Sequence, residues 1–465
     1  MVSIIGANAA LSVAPLPYPF AWFQAQKCSY CYFPQETLMR LPLLNVLCFL
    51  GLAAFAGKPA PLPNRTWLDK NFIVTYWCDP PATDENLARV VAEGFNLTSC
   101  PEEGLDVVAK HRLHALLKSP LLVPDALEDS SRRPLLDALV ARVKRHSGLA
   151  GYFLVDEPDA GQFPALGKLV AYLHAQDPAH FAYLNLLPVY ANQKQLGIVK
   201  APLNHANAGI PTYFTGSGDA VQAKTSYRGH LEQFVQIVRP ELLSYDHYHF
   251  YNRSDGTQYF LNLELMRSAA LKARLPFMNI IQASSFENTW RMPVASEIRW
   301  LAFTCMAYGS HGISYFTYWG PKSFHGLYQD GQASPLMKDV SALNHEISTL
   351  GPVMMGLVTM GLYHTDPLPP GTQPIPANSP VTIEGSGDFI LGLFGTRNDT
   401  NAFMIVNRSY HAVAEAKVTL RMPGGGLQEL SHTSGKWSKV MPLGKDRGMM
   451  VQLQPGDGRL FRIEP

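Results

Sequence analysis

Between residues 72 and 319 the chain alternates eight times between a short apolar run of β-type residues and a stretch with helical period, and few folds accept that pattern. A strand followed by a helix returns parallel to its neighbour, so repeated strand-helix units build a parallel sheet covered by helices. The strands read as 72–77, 95–99, 114–118, 151–155, 181–187, 242–246, 277–282 and 313–319. Between them run a helix with Leu87, Val90 and Val91 on one face and Gly94 as its stop, then helices over 105–110, 135–143, 231–238, 259–273 and 294–308. In the last, Ile298, Leu301, Ala302 and Cys305 are spaced for one buried face. Eight such units in about 250 residues match an α/β chain folded as a (β/α)8 TIM barrel over 70–355. The runner-up, a doubly wound open sheet, needs a glycine-rich phosphate loop after strand one, where Trp77-Cys78-Asp79-Pro80-Pro81 stands instead.

After a helix around 340–350 the composition changes. A Pro-rich link over 366–376 leads into short alternating runs at 389–394, 402–406, 416–420, 449–453 and 459–463, spaced for an antiparallel β-sandwich over 377–465. No convergent polar cluster is visible there, so it reads as an accessory domain.

The first residues follow a different logic. Met39-Arg40 precedes an apolar stretch that exits through Ala54-Phe55-Ala56, the layout of a signal peptide over 39–56 cleaved after Ala56. Export to a secreted or periplasmic location is expected, with no stable membrane insertion after cleavage; an uncleaved anchor is the alternative. Residues 1–38 then form an upstream extension, and Cys28 and Cys31 fall outside the mature chain. Export leaves Cys78, Cys100 and Cys305, of which Cys78 and Cys100 end neighbouring strands and are expected to pair; three reduced thiols are the alternative. N-x-[ST] sequons begin at Asn64, Asn96, Asn252, Asn398 and Asn407. In the 465-residue chain, 47 % hydrophobic and 16 % charged residues suit a cored globular protein. A formal charge of +1 without a basic run gives no footprint for nucleic acid.

Chemistry is expected at the C-terminal strand ends, where such barrels place their active sites. Strand four runs directly into Asp156-Glu157-Pro158. Strand alternation puts Phe153, Val155 and Glu157 on one face and Leu154 and Asp156 on the other, so Glu157 caps the interior if that face points inward. A purely structural role, Asp156 capping the next segment, competes with this. Strand six runs into Tyr245-Asp246-His247-Tyr248-His249, offering Asp246 as a second acid or base and Tyr248 as a substrate contact. Trp77 and Trp319 end strands one and eight as candidate aromatic platforms, Tyr190 lies beyond strand five with Asn185 within it, and Gln282 and Glu287 lie at and after the end of strand seven. No further His or Cys stands at ligand spacing, so neither metal nor cofactor is expected.

On these residues the chain resembles the (β/α)8 glycoside hydrolases, over roughly residues 70–350. Their large retaining clan ends strand four in Asn-Glu and strand seven in a nucleophilic Glu, whereas here the first pair is Asp156-Glu157 and strand seven ends in Gln282. The adjacent Asp-Glu is similar instead to β-N-acetylhexosaminidases that use substrate assistance. The resemblance implies Glu157 as general acid and base, Asp156 polarising the 2-acetamido group, and an oligo- or polysaccharide substrate. Asp246 or Glu287 as the second carboxylate of a retaining enzyme is the alternative, and a non-catalytic carbohydrate-binding barrel is another.

Overall fold

The structure, a computed structural model, describes residues 67–197, 217–321, 324–396, 399–422 and 425–464. The expected leader, Cys28, Cys31, Asn64, Asn398 and residues 198–216 between Tyr190 and His230 lie outside these residues. No helix among the described residues is long and apolar enough to cross a membrane.

Strands β1 (Ile73–Tyr76), β2 (Leu97–Cys100), β3 (His114–Leu117), β4 (Leu149–Asp156), β5 (Phe181–Leu186), β6 (Leu243–His247), β7 (Phe277–Gln282) and β8 (Gly312–Phe316) form one sheet in the order β1-β8-β7-β6-β5-β4-β3-β2. Around it lie α1 (Asp84–Ala92), α2 (Leu105–Lys110), α3 (Arg133–Val143), α4 (Phe163–Gln176), α5 (Ser217–Val238), α6 (Tyr259–Ala273), α7 (Ala295–Ala307) and α8 (Pro335–Met354). Every ladder in this sheet is parallel, so all strand C-termini share one rim. Ile73, Leu97, Leu116, Ala150, Phe181, Leu242 and Met278 pack together in the lumen. Their sequence neighbours Val74, Ala115, Leu117, Tyr152, Ala182 and Leu243 pack outward among the helices. Burial on both faces is why the strands read as continuous apolar runs. On α1, Leu87 and Val90 are buried while Val91, expected beside them, is 40 % exposed.

The seam between β1 and β2 is closed largely by one side chain. Asn96 Oδ1 accepts from Val74 N–H at 2.9 Å, its Nδ2 donates to Phe72 O at 2.8 Å, and its own N–H donates to Val74 O at 3.0 Å. The carboxamide acts as an extra peptide group across the gap. It is therefore engaged where a glycan would attach, and Asn407 is fully buried with its Nδ2 donating to Ala412 O, Leu453 O and Gln454 O. Asn252 is the exposed one of the three described sequon asparagines.

Cys100 is free and buried, with burial pushing its thiol up to about 12, and Cys305 is also free. Cys78 is disulfide-bonded. The expected Cys78–Cys100 bridge is therefore absent: adjacency of strand ends does not aim two Cβ atoms at each other.

Past β8 come a small sheet of β9 (Trp319–Gly320), β10 (Tyr328–Gln329) and β11 (Gln332–Ala333), then the sandwich. Its strands are β12 (Val358–His364), β13 (Val381–Gly385), β14 (Phe389–Thr396), β15 (Asp399–Asn407), β16 (Ala414–Leu420), β17 (Gly426–Glu429), β18 (Met441–Pro442), β19 (Gly448–Leu453) and β20 (Gly458–Glu464). They form sheets β12-β14-β15-β20-β17-β18 and β13-β16-β19. Because β12 precedes the Pro-rich segment, that segment is a loop inside the second domain rather than a link before it. Phe389, Leu391 and Leu393 face the sandwich core, while Ile390 and Phe394 join the core of the barrel domain. Helix α7 is thus covered on both sides, and Trp300 and Phe303 are buried along with the predicted face. Arg299 on α7 binds Glu346 on α8 at 2.7 Å and Asp457 of the sandwich at 2.6 Å, and His432 adds a contact to Glu346 at 2.9 Å.

Candidate active site

The parity of β4 changes before it reaches the rim. Phe153 pairs with Tyr183 and Val155 with Leu184, so one extra residue is inserted on the β4 side. Phe153 packs in the lumen, Leu154 and Val155 pack outward, and Asp156 turns inward again. Alternation from an inward Phe153 would leave Asp156 outside; the bulge brings it inward. Glu157 follows with φ 50°, and its N–H donates to Asn185 O at 2.8 Å. A left-handed conformation in a residue with a Cβ costs on the order of 1 kcal/mol and is typical of sites where function fixes the backbone.

One amide gathers two of the carboxylates. Asn185 Nδ2, on β5, donates to Asp156 Oδ1 at 3.0 Å and to Asp246 Oδ1 at 3.0 Å. Its own Oδ1 accepts from Ser244 Oγ at 3.1 Å, and Ser244 Oγ lies 3.0 Å from the Tyr183 hydroxyl. Asp246, Asn185, Ser244 and Tyr183 are all buried, whereas Asp156 and Glu157 are half-buried at the opening. Burial pushes the phenol of Tyr248 well up, and the charges of Asp246, Glu157 and Asp156 add to it. Tyr190 is raised in the same way by burial, with Asp246 and Glu157 contributing. Asp246 and Glu157 therefore act on both tyrosines.

Alternation in β6 divides the aromatic run that follows Asp246. Tyr248 packs toward the mouth on Trp290 and Phe316, with ring centroids 4.4 and 5.1 Å away. His247 and His249 face the helices, against Tyr259 and Trp300, and burial lowers them to about 4 and about 3, so both imidazoles are neutral. No group of three His, Cys, Asp or Glu side chains among the described residues is placed to hold a metal.

The remaining candidates fall into two groups. Trp77 stands at the rim edge-on to Phe153 at 5.5 Å. Trp319 stacks on Tyr328 at 6.2 Å, and Tyr190 meets His247 at 5.0 Å. Gln282 and Glu287 are not brought to the carboxylates. Gln282 has no exposed surface; it accepts from Phe250 N–H at 2.8 Å and donates to Phe250 O at 2.9 Å and Arg291 O at 2.8 Å, tying the loops after β6 and β7 together. Glu287 is exposed at the tip of a turn closed by the Phe286–Trp290 bridge.

A second polar group at the rim was not anticipated from sequence. Asp79, just after β1, binds Lys118 Nζ at 2.5 Å, Ser99 Oγ at 2.5 Å and Ser99 N–H at 2.8 Å. Both Asp79 and Lys118 follow strand ends, the position that drew attention to Asp156.

No family model matches the chain, and no curated protein matches it. Among solved structures it is similar to the catalytic domain of a mannanase from Streptomyces sp. SirexAA-E, with 13 % identity, 63 % of this chain and 94 % of that one covered, and a TM-score of 0.36. It is also similar to an endo-1,4-β-mannanase from Eisenia fetida, with 11 % identity, 59 % and 91 % covered, and a TM-score of 0.34. A β-galactosidase from Marinomonas ef1 shows 11 % identity, 61 % of each chain covered and a TM-score of 0.31. None of these likenesses is close enough to carry an argument; the barrel is recognised from its strand order alone.

Proposed function

We propose that the chain is a secreted glycoside hydrolase in which Glu157 is the general acid and base and Asp156 orients a 2-acetamido group of the substrate. The observation that carries this reading is the convergence of Asp156 and Asp246 on the single Asn185 amide, beside Glu157, at the C-terminal rim of the barrel. In the first step the Glu157 proton passes to the glycosidic oxygen as the C1–O bond breaks, and the acetamido oxygen bonds to C1 while its N–H donates to Asp156. In the second, Glu157 takes a proton from water, whose oxygen replaces the acetamido oxygen at C1. Asn185 holds Asp156 in place without supplying a proton it could accept.

Asp246 supports a second reading. Asp246 is buried at the same rim and shares the Asn185 amide with Asp156, and a retaining enzyme needs a second carboxylate beside its acid. Asp246 would then attack C1 itself. Glu287, exposed on its turn, is the weaker candidate for that role.

Release of nitrophenol by the full chain from paired aryl β-glycosides, one with a 2-acetamido and one with a 2-hydroxyl group, tests both readings. Turnover of the acetamido member alone is expected. Turnover of the hydroxyl member shifts the nucleophile to Asp246, and silence on both, with sugar binding retained, leaves a carbohydrate-binding barrel.

A further inference from the structure

The ends of β1, β2 and β3 carry a polar slot beside the carboxylates. It is lined by Trp77, Asp79, Ser99, Lys118, Phe153 and Tyr183, among others, and holds about 20 Å³ of accessible space. That is room for one water-sized group, since a single water needs roughly 10–15 Å³ by this measure. The slot connects to the carboxylate group through Tyr183, whose hydroxyl lies 3.0 Å from Ser244 Oγ, which in turn donates to the Asn185 amide oxygen.

We propose that the Asp79–Lys118 pair takes one hydroxyl of the sugar ring held at Asp156, Glu157 and Asp246, and so selects a neutral sugar by its hydroxyl pattern. This rests on the glycosidase reading and names the feature of the substrate that the site reads. A hydroxyl oxygen accepts from an ammonium, and the slot presents Lys118 Nζ 2.5 Å from Asp79, whose oxygens already accept from Thr98, Ser99 and Lys118. The pair has no net charge, so a carboxylate or sulfate on the sugar would meet Asp79 as closely as Lys118. The two side chains are 11 % and 25 % exposed, reachable from the mouth but shielded enough for directed hydrogen bonds to count. Lys118 Nζ also lies 5.2 Å from the centre of the Phe153 ring, and Asp79 is fixed by Ser99, so neither charge has to be ordered when the sugar arrives. A site built to hydrogen-bond a hydroxyl rejects the analogue lacking it far more strongly than an apolar pocket rejects an extra methylene.

The test is binding of methyl β-glycosides of neutral hexoses, N-acetylhexosamines and hexuronic acids to the full chain, by saturation-transfer NMR, with monodeoxy analogues of whichever binds. Lys118→Met and the charge-balanced Asp79→Asn/Lys118→Met variant are compared after thermal melts establish folding. The expected result is a neutral glycoside that binds, one monodeoxy analogue weakened at least tenfold, and loss of that discrimination in the double variant. Tighter binding of the hexuronate, abolished by Lys118→Met, would overturn the proposal in favour of an anion site. Unchanged discrimination in the double variant overturns it while leaving the glycosidase reading intact. Binding of no sugar by the wild-type chain removes both.

Discussion

Strands β6 and β7 lie side by side and deliver their last inward polar residues to the same rim, yet Asp246 and Gln282 meet different partners. Both are buried, at 2 % and 0 % exposure. Asp246 meets a side-chain amide shared with Asp156. Gln282 meets main-chain groups of two loops, Phe250 and Arg291. A carboxylate could not replace it, because it has no proton to donate to those carbonyls. Position in the fold therefore nominates a residue for chemistry, and the identity of its partners decides whether it performs it.

The largest expected effect separates the two strand ends by activity. Glu157→Gln and Asp246→Asn each keep the side-chain shape and remove an ionisable oxygen. Turnover should fall by at least about 10³-fold in the first, equivalent to roughly 4 kcal/mol of transition-state stabilisation, with thermal melting little changed. Full activity in Asp246→Asn would assign Asp246 to structure beside Gln282.

Gln282→Ala should do the reverse. It leaves Phe250 N–H and Arg291 O without the Gln282 amide, and a loss of about 3 kcal/mol in denaturant unfolding is expected. Gln282→Glu, which restores the carboxylate of the large retaining clan, should destabilise as well and give no gain in turnover. A gain would mean that the end of β7 is catalytic after all.

A third measurement asks how firmly the β7 side is held from outside. Burial alone would raise the Glu346 carboxyl, but hydrogen bonds from His432 and Arg299 outweigh it and lower it from 4.5 to about 2. A carboxylate depressed in the folded state stabilises above its unfolded pKa and loses that contribution as pH falls. Up to about 3 kcal/mol should therefore disappear between pH 4.5 and 2. In Glu346→Gln that part of the acid dependence should be missing.

The same contrast shows what the sequence made legible. Periodicity located all eight barrel strands to within a few residues, and β7 as Phe277–Gln282, because both faces of each strand are buried. It could not locate the bulge in β4, whose extra residue is set by pairing with β5 and turns Asp156 inward. Nor could it separate Asp246 from Gln282, since partner identity is a tertiary fact. The Asp79–Lys118 pair was within reach: each follows a strand end, but a single polar residue there attracts less notice than two adjacent carboxylates. Strand β12 was missed because the Pro-rich segment after it looked like a boundary.

The smallest effect tests whether the β6 and β7 loops act as one body. Asp255, beyond β6, is bound by Arg291 of the β7 loop at 3.2 Å, and Arg291 continues to Glu297 on α7 at 2.7 Å. The Tyr410 hydroxyl, from the sandwich, donates to the other oxygen of Asp255. The second domain thus reaches the loop that carries Tyr248 and Tyr251. Tyr410→Phe removes that hydrogen bond and leaves the ring against Phe250 and Trp300, so about 1 kcal/mol of stability should be lost. If the two loops form one support, KM should rise a few-fold while kcat holds, because Glu157 and Asp156 on β4 are untouched. A fall in kcat with KM unchanged would place the linkage on Asp246 itself, and the contrast between β6 and β7 would then extend through the sandwich.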